Sequence, residues 1–255
     1  RPRVGYPWGE TPGSSGDRAE RPPHRGGDPY GPDPGNAGGG RRTATVDPRS
    51  LRVYVLTSRG FVAGRGHREI AEAAIAGSAT AVQLRAPELG DGTLTELATE
   101  IAGRCRAAGV LFVVNDRVAV AARVGAGAHV GQDEDPGSAR ASLGADPVLG
   151  VSVSTAQEAR TADAAGADYL GVTVWASPTK AEAEPRGLEG LREIVDSTAL
   201  PVVGIGGIHA GNASEVLDAG AAGICVVSAV GAAPDPEHAT RALVEVVDGW
   251  EEGVR

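Results

Sequence analysis

The sequence is poor in cysteine, lysine and aromatic residues, and these shortages exclude several classes of protein. Its two cysteines, Cys105 and Cys225, are too few for a disulfide framework and lack the spacing of metal ligands. We expect both to be buried and reduced. No apolar run reaches the roughly 18 residues that a membrane span requires, and the first residues lack the apolar core of a signal peptide. The sequence therefore predicts a cytoplasmic protein that does not cross a membrane.

Positive charge is also scarce. The chain has 24 Lys and Arg residues against 33 Asp and Glu residues, which gives a formal net charge of −9. A surface that binds nucleic acid is normally basic, so we expect no nucleic-acid partner. Any phosphate group that the protein binds must be held locally, by a few groups.

Residues 1–50 differ in composition from the rest of the chain. They contain 11 Gly and 9 Pro, but only Val4 and Val46 from the strongly apolar aliphatic set. This is too little apolar surface to offset the conformational entropy that folding would cost. We predict a disordered Gly/Pro/Arg-rich tail over residues 1–50 and one folded domain over residues 51–255.

After Leu51, short apolar runs alternate with alanine-rich helical segments, and a glycine-containing step recurs between them. We interpret each step as a helix C-terminus that is closed by a left-handed glycine. Continuous apolar runs are typical of parallel strands covered on both faces. The predicted strands lie near residues 53–56, 81–84, 111–114, 128–130, 148–151, 169–172, 201–204 and 223–227. Eight such units in about 200 residues predict a small (β/α)8 TIM barrel, with a doubly wound open sheet as the alternative.

In such a barrel, the residues that follow the strands lie together at one end and form the active site. Polar or glycine residues occupy this position after most of the predicted strands. They are Gln83, Arg85, Asn115, Asp116, residues 132–135, Ser152, residues 177–180, Gly206, Gly207 and Ser228. One end of the barrel therefore collects carboxylates, cations and exposed backbone.

Asp116 and Glu134 are candidate ligands for Mg²⁺, which prefers oxygen ligands and completes its shell with water and substrate phosphate. Asp133 and Asp135 are rival ligands in the same acidic run. The alternative for Asp116 is a cap or a first-turn acid of the following helix. The alternative for Glu134 is a solvated surface acid.

Candidate phosphate-binding groups lie at three other strand ends. Gly206-Gly207 stands between a strand and a helix, where backbone N–H groups can bind an anion, although a tight turn has the same pattern. Lys180, the only lysine in the chain, and Arg85 are candidate cations for a pyrophosphate. Arg85 could instead pair with Glu88. His129 is either a substrate contact or a hydrogen-bonded core histidine.

Seven ordered segments resemble those of thiamine-phosphate synthases, and together they cover about residues 51–232. The segments are VQLR (82–85), VVNDR (113–117), AHVGQDE (128–134), GVSVST (150–155), GADYLGV with SPTK (166–172 and 177–180), VVGIGGI (202–208) and VVSAV (226–230). The resemblance implies a Mg²⁺-dependent barrel enzyme. Such an enzyme joins 4-amino-2-methyl-5-hydroxymethylpyrimidine diphosphate to 4-methyl-5-(2-phosphooxyethyl)thiazole, giving thiamine phosphate and pyrophosphate. A homo-oligomer is compatible with it.

The resemblance also implies roles for single residues. Arg85 and Lys180 are the expected catalytic cations, and the residues expected to contact the diphosphate are Gln83, Arg85, Asn115 and Lys180. The expected metal ligands are Asp116 and Glu134. Further substrate contacts are expected from His129, Ser152, Ser177 and Val227, and the thiazole phosphate is expected at Thr179, Gly206, Gly207 and Ser228.

The sequence departs from the family pattern at three places. Ala86-Pro87 stands where the family has an acid and a lysine, and Arg59 or Arg65 on the first loop is a candidate replacement. Glu134 replaces the usual aspartate, and the loop that carries SPTK is about one residue shorter. Two rival hypotheses remain. One is the related thiazole tautomerase, although Ser154 stands where its histidine is expected, and the other is a non-catalytic phosphate-binding barrel.

Overall fold

The computed structural model describes residues 46–62, 64–176 and 184–254. They form a closed barrel of eight parallel strands in sequential order, in which β1 pairs with both β2 and β8. The strands are β1 Val53–Thr57, β2 Ala81–Leu84, β3 Leu111–Asn115, β4 Gly127–Val130, β5 Leu149–Ser152, β6 Tyr169–Thr173, β7 Val202–Ile205 and β8 Gly223–Val226. The predicted (β/α)8 barrel is confirmed, and each predicted strand end lies within one residue of the observed one. Closure excludes the open sheet.

Helices lie between successive strands and after the last one. They are α1 His67–Ala76, α2 Asp91–Ala108, α3 Val118–Val124, α4 Pro136–Leu143, α5 Ala156–Ala164, α6 Gly187–Asp196, α7 Ala213–Asp218, α8 Ser228–Gly231 and α9 Pro236–Val254. Among the described residues, none of these helices has the length and apolar content that a membrane crossing requires.

The strands separate two apolar layers, because successive side chains of a strand point to opposite faces. In β1, Val53 and Val55 join the layer between the sheet and the helices. Tyr54 and Leu56 point into the barrel, where they pack in a smaller cluster with Val46 and other residues. Because Val46 is buried in that cluster, the packed chain includes residues that precede the predicted domain start at Leu51.

Glycine closes most of the helices as predicted. Gly109, for example, follows α2 in the left-handed conformation, with φ of 70°. The prediction is wrong at the first step, where Gly77 has φ of −80° and Ser78 takes the positive value of 69°. Gly77 is needed for another reason. A Cβ there would lie 2.5 Å from Cβ of Thr240, so glycine lets α1 approach α9 closely.

Candidate active site

An inner cavity of about 60 Å³ opens at the carboxyl ends of the strands. Five residues that the sequence singled out line it together, although almost 70 positions separate the first from the last. They are Gln83, Arg85, Asn115, His129 and Ser152. The register explains the convergence, since Asn115 lies opposite His129 in the β3–β4 pair. A second cavity of about 410 Å³ lies at the opposite end of the barrel, away from these residues.

A chain of hydrogen bonds forms the floor of the inner cavity. Gln83 Nε2 donates to the hydroxyl of Tyr54 at 2.7 Å, and that hydroxyl lies 2.9 Å from the hydroxyl of Tyr169. His129 Nδ1 is 3.0 Å from the Tyr169 hydroxyl, and His129 Nε2 is 2.9 Å from Ser152 Oγ. Burial raises the pKa of both tyrosines well above the ordinary value, so both hydroxyls stay protonated.

An outer cavity of about 400 Å³ adjoins the inner one, and Arg85 lines both. Its wall also includes Arg59, Pro87 and Glu88. The Arg59 side chain is 59% exposed, and its Nη1 lies 4.0 Å from Oε1 of Glu88. Two arginines, Arg59 and Arg85, therefore line the outer cavity together with Pro87, which stands where the family has a lysine.

Glu88 is anchored from beneath by a buried histidine. His67 Nε2 lies 2.9 Å from Glu88 Oε1, and His67 Nδ1 lies 2.8 Å from Oγ1 of Thr57. Partial desolvation raises the pKa of the Glu88 carboxyl, but the hydrogen bond from His67 and the charges of His67 and Arg59 outweigh it, so the pKa is lowered. Glu88 is therefore a fixed anion that can orient Arg59.

Arg65, the other candidate replacement for the lysine, has a structural role. Its guanidinium donates to the backbone carbonyls of Gly231, Ala233 and Pro234. These bonds tie the first loop to the last residue of α8 and to the segment that follows it. Arg59 is consequently the first-loop arginine that faces the outer cavity.

The acidic strand ends separate into capping and non-capping residues. Asp135 caps α4, because its Oδ2 accepts a hydrogen bond from the backbone N of Ser138 at 2.8 Å. Hydrogen bonds from the side chain and then from the backbone N of Ser138 lower the pKa of Asp135. Asp116 does not cap α3, whose N-cap residue is Arg117, and its carboxylate accepts a 2.5 Å hydrogen bond from Asn115 Nδ2. The helix-capping alternative is therefore wrong for Asp116, whereas Asp135, the rival ligand, caps a helix without having been predicted to do so.

The backbone of Asp116 adopts a left-handed conformation directly after β3. Its φ is 59°, a left-handed value that costs a non-glycine residue roughly 1–2 kcal/mol. Backbone strain of this kind concentrates at functional sites. The backbone N of Asp116 donates to the carbonyl of His129 at 2.8 Å, which fixes this conformation between β3 and β4.

The donor set at these strand ends fits Mg²⁺ better than a transition metal. Within the described ranges, no three His, Cys, Asp or Glu side chains are grouped to hold a metal. Asp116 and Glu134 are exposed carboxylates on consecutive strand-end loops. Mg²⁺ commonly takes one or two protein carboxylates and completes its shell with water and phosphate oxygens.

The phosphate-binding candidates at β7 and β8 line one small cavity, which we call the cup. Gly206, Gly207, Val227 and Ser228 are among its lining residues. Gly206 and Gly207 have φ of 95° and 63°, and a Cβ on Gly206 would collide with the carbonyl oxygen of Trp175. Only glycine fits this turn, which turns backbone towards the cup.

Three predicted site residues lie outside the described residues. They are Ser177, Thr179 and Lys180. Their assignments stay predictions.

Sequence reasoning missed the two tyrosines of the cavity floor and the histidine beneath Glu88. Tyr54 and Tyr169 lie in apolar runs, where they read as core residues. The available signal was chemical, because a buried tyrosine hydroxyl normally needs a hydrogen-bond partner. His67 gave no such signal, since Glu88, its partner, lies 21 residues further along the chain.

The closed barrel and the cavities at its carboxyl end define a (β/α)8 barrel of the kind that binds phosphorylated small molecules. Residues 53–230 match the model of one family, described as thiamine monophosphate synthase. The chain belongs to that family.

Curated relatives and solved structures agree with this membership. The chain is 45% identical over 203 residues to a thiamine-phosphate synthase of Natronomonas pharaonis, covering 77% of this chain and 95% of that one. It is 47% identical over 199 residues to one of Moorella thermoacetica, covering 76% and 95%. Thiamine phosphate pyrophosphorylase from Pyrococcus furiosus has a similar structure, with a TM-score of 0.73 and 37% identity over 80% of this chain and 98% of that one.

Proposed function

We propose that the protein is a thiamine-phosphate synthase that condenses 4-amino-2-methyl-5-hydroxymethylpyrimidine diphosphate with 4-methyl-5-(2-phosphooxyethyl)thiazole. The products are thiamine phosphate and pyrophosphate. The observation that carries the proposal is the presence of three adjoining sites at one end of the barrel. They are the inner polar cavity, the outer cavity with two arginines, and the cup. The family membership and the names of the relatives support the same reaction.

The inner and outer cavities suit the pyrimidine diphosphate. Gln83, His129 and Ser152 offer hydrogen-bonding groups at the cavity floor, where a heteroaromatic ring needs them. Arg85 lies at the junction with the outer cavity, where Arg59 faces it. A ring in the inner cavity would therefore extend its diphosphate between two guanidinium groups, whose planar forks match phosphate oxygens.

The cup suits the phosphate of the thiazole. Gly206 and Gly207 turn backbone towards it, and Ser228 adds a hydroxyl at the start of α8. Backbone N–H groups in such a turn bind anions without a side-chain charge. Thr179 and Lys180 are the further phosphate contacts that the family resemblance implies.

Asp116 and Glu134 would hold Mg²⁺. When bound, the ion would neutralise charge on the diphosphate oxygens as pyrophosphate departs. Asn115 holds the Asp116 carboxylate through its side-chain amide, so one carboxylate oxygen is already positioned. Glu134 is one methylene longer than the aspartate usual in the family, which lets it reach the ion from an exposed loop.

The proposed reaction needs no nucleophilic residue. The bond between the pyrimidine methylene carbon and the diphosphate oxygen breaks, and both electrons leave with pyrophosphate. The ring amino group stabilises the resulting cation, and the thiazole nitrogen then donates its lone pair to the methylene carbon. The protein's contribution is to hold both partners close and to stabilise charge on the leaving group, mainly through Arg85, Arg59 and Lys180.

The structure gives no support to the tautomerase alternative at the position where it would need a histidine. Ser154 stands there, and its hydroxyl accepts a hydrogen bond from Gln132 Nε2 at 2.9 Å. Its backbone N donates to Oε2 of Glu158 at 2.6 Å, so Ser154 links two strand-end loops. The non-catalytic alternative rests on the missing lysine, and we expect Arg59, which lines the outer cavity, to replace it.

The test is thiamine phosphate formation by the full chain from the two purified substrates, with Mg²⁺ and with EDTA. We expect product only with Mg²⁺, released together with one equivalent of pyrophosphate. Binding of the thiazole phosphate without any product would refute the synthase. Interconversion of thiazole phosphate tautomers would then identify the tautomerase, and its absence would identify the non-catalytic barrel.

A further inference from the structure

The hydrogen-bonded floor of the inner cavity has a defined direction. Gln83 Nε2 donates to the Tyr54 hydroxyl. Because a buried hydroxyl needs an acceptor for its own hydrogen, Tyr54 donates to Tyr169, which then donates to His129 Nδ1. A neutral imidazole that accepts at Nδ1 carries its proton on Nε2, which donates to Ser152 Oγ.

Gln83 and Ser152, the residues at the two ends of these hydrogen bonds, both line the cavity. Gln83 is only 2% exposed, and its Oε1 has no hydrogen-bond partner among the described residues. At the other end, Ser152 receives the proton of His129, so its own hydroxyl hydrogen can be donated. The floor therefore holds an unpaired acceptor at Gln83 and an available donor at Ser152 at the same time.

The two ends cannot change independently. If the Gln83 amide turned over, its Oε1 would accept from Tyr54, and Tyr169 would have to donate to Tyr54 instead. His129 Nδ1 would then carry the proton, and Ser152 would donate to Nε2 and offer only lone pairs. Every bond in the chain would reverse, because each tyrosine hydroxyl has a single hydrogen.

We propose that Tyr54 and Tyr169 are positioning residues that couple the orientation of the Gln83 amide to the tautomer of His129. Through this coupling the cavity recognises a ring that carries a donor and an acceptor together. This inference rests on the proposed function for its ligand, the aminopyrimidine, whose exocyclic amino group is the donor and whose ring nitrogens are acceptors.

The local packing maintains the coupling. The two tyrosine rings meet edge to face, with centroids 6.1 Å apart, and His129 lies against Tyr169 with centroids 5.5 Å apart. Gly150 on β5 leaves the space that Tyr169 occupies, since a Cβ there would overlap the tyrosine ring. Replacing either tyrosine by phenylalanine would therefore remove one hydroxyl and keep the packing.

The first experiment uses the full chain without any substrate. Two-bond ¹H–¹⁵N correlation spectra at pH 8 distinguish the tautomers of His129. We expect a proton on Nε2 and a hydrogen-bonded Nδ1 in the wild type. In Tyr169→Phe, Nδ1 should move to the shift of a free nitrogen. A proton on Nδ1 in the wild type, or an unchanged Nδ1 in Tyr169→Phe, would overturn the proposal.

The second experiment measures how strongly the protein prefers a ligand with an amino group, which Gln83 would recognise at the other end of the hydrogen-bonded series. In Tyr169→Phe, the Tyr54 hydroxyl loses its acceptor and should donate to Gln83 Oε1 instead, which turns the Gln83 amide over. Tyr169 does not contact Gln83, so this effect can reach Gln83 only through Tyr54. We therefore measure dissociation constants for 4-amino-2-methyl-5-hydroxymethylpyrimidine diphosphate and for its analogue with hydrogen at C4. The wild-type preference for the amine should be about tenfold and should disappear in Tyr169→Phe.

The control is Cys225→Ala, which removes a cavity-lining atom outside the hydrogen-bonded chain and should keep the preference. A preference that survives in Tyr169→Phe would contradict the coupling, as would one that is lost equally in the control. If the wild type bound neither diphosphate, the proposed function would fail, but the spectra would still decide whether the coupling exists.

Discussion

Arg59 is the residue whose removal best tests how the chain tolerates the loss of the family lysine. Its guanidinium lines the outer cavity together with Arg85, and Glu88 anchors it at 4.0 Å. Pro87 lines the same cavity and offers no charge. If the diphosphate lies between the two arginines, Arg59→Ala removes one of its cations.

The size of the effect follows from exposure and distance. Two unit charges 4 Å apart interact by about 1 kcal/mol in water and about 4 kcal/mol at an effective dielectric constant of 20. Arg59 is 59% exposed, so its contribution lies near the lower value. The variant also leaves the Glu88 carboxylate in the cavity wall with His67 as its remaining partner. About 1–2 kcal/mol corresponds to a fall of roughly 5- to 30-fold in kcat/KM.

The assay measures kcat/KM for the pyrimidine diphosphate at saturating thiazole phosphate and Mg²⁺. The matched control is Arg68→Ala, which removes an arginine of similar exposure that pairs with Glu100 on the outer helices. We expect the defect of Arg59→Ala to shrink in 1 M salt, where the screening length falls to about 3 Å. Equal kcat/KM values for Arg59→Ala and Arg68→Ala would refute the reasoning.

Three further predictions concern the metal, the cup and the thiols. Asp116→Asn should lower Mg²⁺-dependent turnover on the order of 10²-fold in an initial-rate assay, whereas the control Asp133→Asn should not. Equal effects of the two substitutions would exclude Asp116 as the metal ligand. Gly206→Ala should raise the KM for the thiazole phosphate about tenfold, because its φ of 95° and the carbonyl of Trp175 exclude a Cβ. An unchanged KM would count against the cup. Burial raises the pKa of the Cys105 thiol to about 12, so at pH 8 it stays protonated and should not react with Ellman's reagent until urea unfolds the protein. Reaction of the native protein within minutes would contradict this burial.

The barrel could be predicted from the sequence because its signals are local. Each strand is a continuous apolar run, and most helices end at a glycine with positive φ, such as Gly109 and Gly125. Gly77 shows where this logic fails. Its spacing looked like the other closures, but its function is a close approach to Thr240, more than 160 residues away. A contact of that separation leaves no local pattern.

The position of the site could be predicted from the sequence, but the hydrogen-bond partners of its residues could not. Strand order placed Gln83, Asn115 and His129 at one end of the barrel, and the inner cavity contains all three. What the sequence could not supply was the use of each polar group. Only the structure shows that Asp135 caps a helix while Asp116 does not, since neighbouring acids in a loop look alike until their hydrogen bonds are known.

The arrangement of cations resolves an apparent conflict between the net charge of −9 and substrates that are themselves anionic. A general basic surface would attract every phosphate compound, whereas the proposed site uses backbone at the cup and two arginines at the outer cavity, with Lys180 as the further cation that the family resemblance implies. In the proposed site, charge is supplied where a phosphoryl group would bind, and neutral groups on the cavity floor would recognise the ring. This separation predicts that salt affects binding of the diphosphate more than the preference for the amino group. Measuring both dissociation constants at 0.05 M and 0.5 M salt tests it, and a preference that falls in parallel with affinity would contradict it.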